Sequence, residues 1–277
     1  MSNNLKFGIV QGRLIQSPEG CLQWFPQESW ESEFFLAPAL GYDFIELIGE
    51  RDHNSDNPIW SDFGIKKIRE LCVQNNLSLH AFCDDYIIDH PLLEDKAVVD
   101  EVLDFIGRGK LLGVQKIVLP LFEKSELTDI NYPDYKEPLI KIANAAQNAN
   151  ILVCIETVLD GKSLQKVLND YNHPNIKCVF DTGNRIAFGH DIYSDIVLLD
   201  QQIQHVHIKD KNAANENVRL GTGNVNFYEV FKSLFRIGYK GPFTYETFRG
   251  HNPVRTARYN RVFTDYFVEE ALEDENK

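Results

Sequence analysis

Short apolar runs rich in β-branched and aromatic side chains recur along the chain, at 7–10, 44–47, 77–82, 116–119, 151–155, 176–180, 203–208 and 243–245. Each has the length of a buried strand. Between them, apolar residues fall three and four apart on otherwise polar stretches, which predicts helices over 28–40, 61–75, 92–112, 134–148, 163–170, 191–201 and 227–237, with an eighth from about 253 onward. Glycines at 41, 113 and 238 stand where a helix ends and the next strand begins, the position a left-handed cap requires.

Strand and helix thus alternate eight times without a linker. An open parallel sheet of this size would leave two edges and usually has fewer strands, whereas eight βα units close on themselves. The pattern therefore predicts a (β/α)8 TIM barrel, an α/β fold, as a single domain over residues 1–277. Although the units recur at a roughly even interval, no side-chain signature repeats from one to the next, which argues against a solenoid.

Composition narrows the function. There are 41 acidic against 28 basic residues, a net charge of −13, and no run of Lys and Arg is long enough to grip a phosphate backbone. A nucleic-acid partner is not expected. The five cysteines (Cys21, Cys72, Cys83, Cys154 and Cys178) are dispersed and form no C-x-x-C, so reduced, mostly buried thiols are expected rather than disulfides or a zinc knuckle. Residues 1–6 are polar and no apolar stretch is long enough to span a bilayer, so neither signal peptide nor membrane partner is expected and the location is expected to be cytoplasmic.

In a parallel barrel, chemistry gathers at the carboxyl ends of the strands. Strands five to eight end in Glu156, Asp181, His207 and Glu246. One such carboxylate is commonly a helix cap or an ion-pair partner. Three carboxylates and an imidazole converging on one mouth would repel one another unless a cation lay between them, which predicts one divalent metal ion: Mn²⁺ first, with Co²⁺, Mg²⁺ or Zn²⁺ also compatible. Alternation along strand seven puts His205, His207 and Lys209 on the inward face. Around these, Arg13, Glu46, Trp60, Asn184, Lys209 and Arg219 are candidates to hold substrate, and strand three offers His80, with Asp84 and Asp85 beside it. The Gly221-Thr-Gly223 turn after Arg219 could add backbone N–H donors, but it is too short for a nucleotide fingerprint.

The series Glu156-Thr, Asp181-Thr-Gly-Asn184, His207-Ile-Lys-Asp210, Arg219-Leu-Gly-Thr-Gly and Tyr245-Glu246-Thr resembles the xylose-isomerase-like TIM-barrel superfamily. The spacing is most similar to its sugar phosphate isomerase and epimerase group. The resemblance implies that Glu156, Asp181, His207 and Glu246 are metal ligands, that the two glutamates are also the acid/base pair, and that the substrate is a ketose or ketose phosphate. It further implies that the chain pairs into a homodimer or higher oligomer.

The expected reaction begins with removal of the proton next to a ketose carbonyl held by the cation, giving an enediolate. Return of the proton to the opposite face of that carbon is epimerisation, and return to the neighbouring carbon is aldose–ketose isomerisation. A lyase of the inosose- or dehydroshikimate-dehydratase type would start identically and expel a hydroxyl. An endonuclease IV-like enzyme is the remote alternative, disfavoured by Asn184 where that branch carries a histidine and by the acidic charge. A non-catalytic sugar-binding relic would have no reason to keep the four-residue set.

Overall fold

A computed structural model describes residues 5–275; residues 1–4 of the polar start and the last two of the acidic C-terminal stretch lie outside the described residues. The chain runs β1 (Phe7–Val10), α1 (Trp30–Ala39), β2 (Phe44–Gly49), α2 (Asp62–Asn75), β3 (Ala81–Asp84), α3 (Tyr86–Asp89), α4 (Lys96–Leu112) and β4 (Lys116–Leu121). It continues through α5 (Tyr132–Asn148), β5 (Leu152–Thr157), α6 (Gly161–Tyr171), β6 (Ile176–Asp181), α7 (Thr182–Ala187), α8 (Ile192–Leu199), β7 (Ile203–Ile208), α9 (Phe227–Arg236), β8 (Phe243–Tyr245) and α10 (Pro253–Glu275). All eight strands are parallel and β8 pairs with β1, so the sheet is a closed barrel in sequence order. No helix among the described residues is long and apolar enough to cross a membrane.

Period-two alternation divides the strand residues between two layers. Outward-facing Ile9, Leu47, Phe82, Ile117, Ile155, Phe180 and Val206 pack under the helices in the main core. Inward-facing Val10, Ile48, Ala81, Cys83, Val118, Cys154 and Val179 form a second, smaller core in the lumen. Several helices start on a side-chain cap: Ser61 accepts from Gly64 N, Asp95 from Ala97 N and Asp160 from Ser163 N, each bond stabilising by about 1 kcal/mol. Four cysteines are buried and all five are free.

Two details depart from the pattern. Strand three begins at Ala81, not at residue 77, because Asn76 caps α2 in the left-handed region and Leu77 N bonds back to Cys72 O. Leu77 therefore closes the helix instead of opening the strand. The short helices α3 and α7, four and six residues long, follow directly on the ends of β3 and β6.

The ladder is irregular at one place. Cys178 pairs with Ile203, but Val179 pairs with His205, so Gln204 is an extra residue in β7. Its carbonyl accepts a hydrogen bond from the buried Lys116 ammonium. This bulge sets Val179 beside His205 and Asp181 beside His207, all facing the lumen.

Asp84, the last residue of β3, is 1% exposed and its Oδ2 has no hydrogen bond. Burial, reinforced by the charges of Asp85 and Glu101, pushes its carboxyl up to about 8. The folded state then holds the proton more tightly than the unfolded chain, so this residue's contribution is complete below about pH 4 and is lost as pH rises through about 8. In metal-free protein, Asp84→Asn is expected to raise Tm by several degrees at roughly pH 8 and far less at roughly pH 5. Thermal scans across that range showing parallel curves for variant and wild type would refute this.

Candidate metal centre

At the carboxyl ends of β5 to β8 the alternation delivers four inward side chains in succession. Glu156 is the penultimate residue of β5, Asp181 the last of β6, His207 the penultimate residue of β7, and Glu246 follows β8 with its N–H bonded to Ile208 O at 3.1 Å. One donor atom from each lies within 4.8 Å of the others, and all four residues are buried.

Each donor is oriented by a neighbour. Asp181 caps α7, its Oδ1 accepting Asn184 N at 2.6 Å, which leaves Oδ2 toward the centre. Asn184 Nδ2 donates to Glu156 Oε1 at 3.0 Å. His207 Nε2 lies 3.0 Å from Glu46 Oε1, so that nitrogen carries the proton and Nδ1 faces Glu246 Oε2 at 3.2 Å and Glu156 Oε2 at 3.5 Å. Glu46 Oε2 is 2.6 Å from His205 Nε2, which Thr244 Oγ1 also approaches at 3.1 Å. These contacts engage both Glu46 oxygens and both imidazole Nε2 atoms, while the Nδ1 atoms of His205 and His207 stay buried without a hydrogen bond. Arg13 Nη2 stands 3.2 Å from Glu246 Oε1.

The Lys209 ammonium reaches into the cluster, 2.9 Å from Asp181 Oδ2 and 2.7 Å from Glu246 Oε2. Gly183 makes this possible, since a Cβ there would stand 2.8 Å from Lys209 Cγ. The concentration of acid distorts the titration of the cluster. Burial raises the Glu156 carboxyl well above the usual range. Burial also works against Glu246, but the Lys209 charge and then His207 and Arg13 outweigh it and hold that carboxyl well below the usual range. His205 is kept neutral by burial, lowered to about 4.

This donor set fits a divalent cation. Three carboxylates and one imidazole nitrogen are the ligands of an oxygen-rich site. Two of the inward atoms, Asp181 Oδ2 and His207 Nδ1, are buried with no hydrogen bond in line. A lysine cation already lies among the carboxylates, as the excess of negative charge demands.

A cavity of about 380 Å³ opens above the cluster. Glu156, His207, Lys209, Glu246 and Asn184 line it, together with Asp85, Arg51, Phe122 and Phe188. Of the three strand-three candidates, it is Asp85 that lines this cavity: it is buried, its Oδ2 has no hydrogen bond, and burial followed by the Glu246 charge lifts it to about 7. Phe122, just beyond β4, and Phe188, just beyond α7, belong to no motif and carry no signal in the sequence.

Other expectations require correction. His80 is at the opposite, amino end of the barrel: its carbonyl accepts Gln115 N and Lys116 N at the start of the β3–β4 ladder, and its ring packs on Phe44 at 4.8 Å. Trp60 packs against Phe105 and His53 and does not line the cavity. Glu46 is fully buried beneath the histidines, engaged by them and not open to a hydroxyl. Arg219 stacks on Tyr259 at 5.2 Å in an adjoining cavity. The N–H groups of Gly221 and Gly223 both donate to Asp210 Oδ2 at 2.9 Å, so the turn is a closed structural loop.

The chain is similar to known proteins over nearly its whole length. A family model described as xylose isomerase-like TIM barrel matches residues 34–264. L-ribulose-5-phosphate 3-epimerase UlaE of Escherichia coli O1:K1 / APEC is 26% identical over 261 residues, covering 89% of this chain and 88% of that protein. Among solved structures, an L-ribulose 3-epimerase superposes with a TM-score of 0.78 at 20% identity, covering 98% of this chain and 97% of the other. D-psicose 3-epimerase from Clostridium cellulolyticum H10, solved with D-tagatose, gives 0.76 at 18% identity, covering 95% and 99%. These superpositions establish a shared fold.

Proposed function

The chain belongs to the xylose isomerase-like TIM-barrel family, and on that premise we propose that it is a divalent-metal-dependent sugar or sugar phosphate epimerase or isomerase, acting next to a ketose carbonyl. The observation that carries this is the convergence of Glu156, Asp181, His207 and Glu246, with donor atoms within 4.8 Å of each other, three of them lining one cavity. The names of its relatives, 3-epimerases of ketoses and of a ketose phosphate, agree with that chemistry.

Glu156, Asp181, His207 and Glu246 would hold the ion, with Mn²⁺ our first choice among Mn²⁺, Co²⁺, Mg²⁺ and Zn²⁺. When bound, it supplies Lewis-acid polarisation of the carbonyl and offsets the negative charge that develops on oxygen. The proton is moved by the chain's own carboxylates. One glutamate takes it from the carbon between carbonyl and hydroxyl, and the other, approaching from the opposite face, returns one to the same carbon. Asn184 fixes the Glu156 carboxylate through its 3.0 Å hydrogen bond, and Arg13 and Lys209 keep Glu246 ionised. Asp85, lining the same cavity, is placed to accept a substrate hydroxyl. Glu46 sets the His207 tautomer and leaves Nδ1 as the nitrogen that would hold the ion.

That last role gives a measurable consequence. Glu46→Gln preserves the shape but replaces the acceptor that fixes both histidines, and it is expected to weaken Mn²⁺ binding by about 10- to 100-fold in calorimetric titration. An unchanged affinity would mean that Glu46 serves only the fold.

The function itself is tested by mass spectrometry of a panel of ketoses and ketose phosphates incubated in D2O with the Mn²⁺-loaded protein. Incorporation of one deuterium without loss of water identifies the substrate and the enolisation step, and chromatography then separates epimer from isomer. Loss of water would move the protein to the dehydratases. Absence of exchange from every ketose by fully metal-loaded protein would overturn the proposal.

A further inference from the structure

The stretch between β1 and α1, residues 11–29, carries no helix or strand, yet through Leu22 and Gln23 it forms one wall of the cavity over the metal centre. Buried charge holds it there. Arg249, three residues beyond Glu246 and 7% exposed, donates from Nε to Gly12 O at 2.7 Å and from Nη1 to Cys21 O at 3.0 Å and Leu22 O at 2.6 Å. Glu33 of α1, also buried, accepts Gly12 N at 2.9 and 2.8 Å and Leu14 N at 3.1 Å. Between these two clasps Gly12 turns at φ +82°, where a Cβ would stand 2.0 Å from Trp24 O, so the loop folds back on itself.

Leu22 O is the point at which this clasp meets the acid/base pair. It accepts from Arg13 Nη1 as well as from Arg249, and Arg13 Nη2 reaches Gln23 Oε1 and, at 3.2 Å, Glu246 Oε1. Arg249 is therefore tied to Glu246 along the chain and again across space, through Leu22 and Arg13. As mere fold support the arrangement costs stability: two guanidinium groups of like charge converge on one carbonyl, and Arg13 Nε and Arg249 Nη2 are buried without a hydrogen bond. Glu156 is oriented separately, by the Asn184 amide.

We infer that Arg249 is a positioning residue for one half of the reaction: by seating Leu22 it aims Arg13 at Glu246, and so serves proton transfer on the face that Glu246 attends while leaving the Glu156 face alone. The inference rests on the two-glutamate function proposed above and adds to it a residue that stands outside every sequence motif.

The test compares the two faces. Initial deuterium uptake from D2O is measured with Mn²⁺-loaded protein from each epimer of the ketose pair, the Glu246 face being the one whose exchange Glu246→Gln abolishes. Arg249→Lys keeps a positive charge opposite Glu33, and hence the fold, but cannot donate to three carbonyls at once. It is expected to slow uptake on the Glu246 face by about tenfold or more, the worth of an outer partner of a metal ligand, and on the other face by less than about twofold. Equal slowing of both faces would reduce Arg249 to general support, and unchanged uptake on both would deny it any role; either result overturns the inference. Action through Arg13 also demands that Arg249→Lys cost little once Arg13→Met is in place, and fully additive losses in log kcat would overturn it too. Amide hydrogen exchange, followed by mass spectrometry on metal-free protein, is independent of the catalytic reading. Arg249→Lys is expected to speed exchange in peptides spanning residues 11–25, and protection equal to wild type would overturn the inference whatever the activity. If wild type exchanges no ketose, the catalytic reading fails and this protection alone decides whether Arg249 seats the loop.

Discussion

Glu246→Gln protein, saturated with Mn²⁺, is expected to lose about 10²- to 10⁴-fold or more in kcat for interconversion of its ketose pair, the range for removal of a positioned acid or base. Gln keeps the shape and one ligand oxygen but cannot accept the proton. The fold is expected to survive, because Lys209 keeps its 2.9 Å contact with Asp181 and Arg13 keeps other acceptors, Leu22 O and Gln23 Oε1. The two-glutamate scheme makes a sharper demand. With one base gone, the remaining one can still take and return the proton on its own face, so one epimer of the pair should exchange deuterium from D2O without inverting. Glu156→Gln should show the mirror result, exchanging the other epimer. A Glu246→Gln variant that interconverts the epimers at near wild-type rate would end the scheme.

Thermal stability is expected to respond just as clearly to metal. Removing divalent ions leaves Glu156, Asp181 and Glu246 crowded around one imidazole and one ammonium. An ion that binds only the folded state stabilises it by about 2.7 kcal/mol at a hundredfold excess over Kd, which for a chain of this size is a rise in Tm of roughly 5–10 °C. Chelation should reverse it. Asp181→Asn removes an anionic donor and should abolish most of the rise, and the rise should fade with acid as the ligands take up protons. A scan showing the same Tm with Mn²⁺, Co²⁺, Mg²⁺, Zn²⁺ or chelator would mean that the cluster is satisfied by Lys209 alone.

The architecture was legible because its signal is redundant: eight strands and the long helices each carry their own periodicity, and an error at one, such as the start of β3, does not move the rest. The four converging residues were legible for a related reason, since a polar side chain ending an apolar strand has only one end of the barrel to go to. What the linear pattern missed depends on contacts across the barrel. His80 was drawn to the mouth by a strand assumed to begin at Leu77; the cap at Asn76 moves the strand forward and leaves His80 at the other end. The pattern puts Glu46 near the end of its strand, as it does Glu156, but β2 runs on to Gly49 and two histidines from β7 engage Glu46 inside the barrel, a pairing between residues about 160 apart that no local window contains. Trp60 lies between β2 and α2 with no local sign of a packing partner, and Phe105 of α4 supplies one. Arg219 stacks on Tyr259 in the second turn of α10, about 40 residues further along the chain.

The extra residue in β7 decides which way the histidines face. Were the strand to pair without its bulge, Val179 would stand opposite Gln204 and every later residue would exchange faces: His205 and His207 would turn into the helix layer while Val206 and Ile208 filled the lumen. Point substitutions at the ligands can erode this centre only one donor at a time. A slip of one residue would remove both histidines together and strand Glu46 without a partner, while leaving eight strands able to pair. Loss of Gln204 itself has no such effect, because Val179 would still meet His205 and Asp181 would still meet His207.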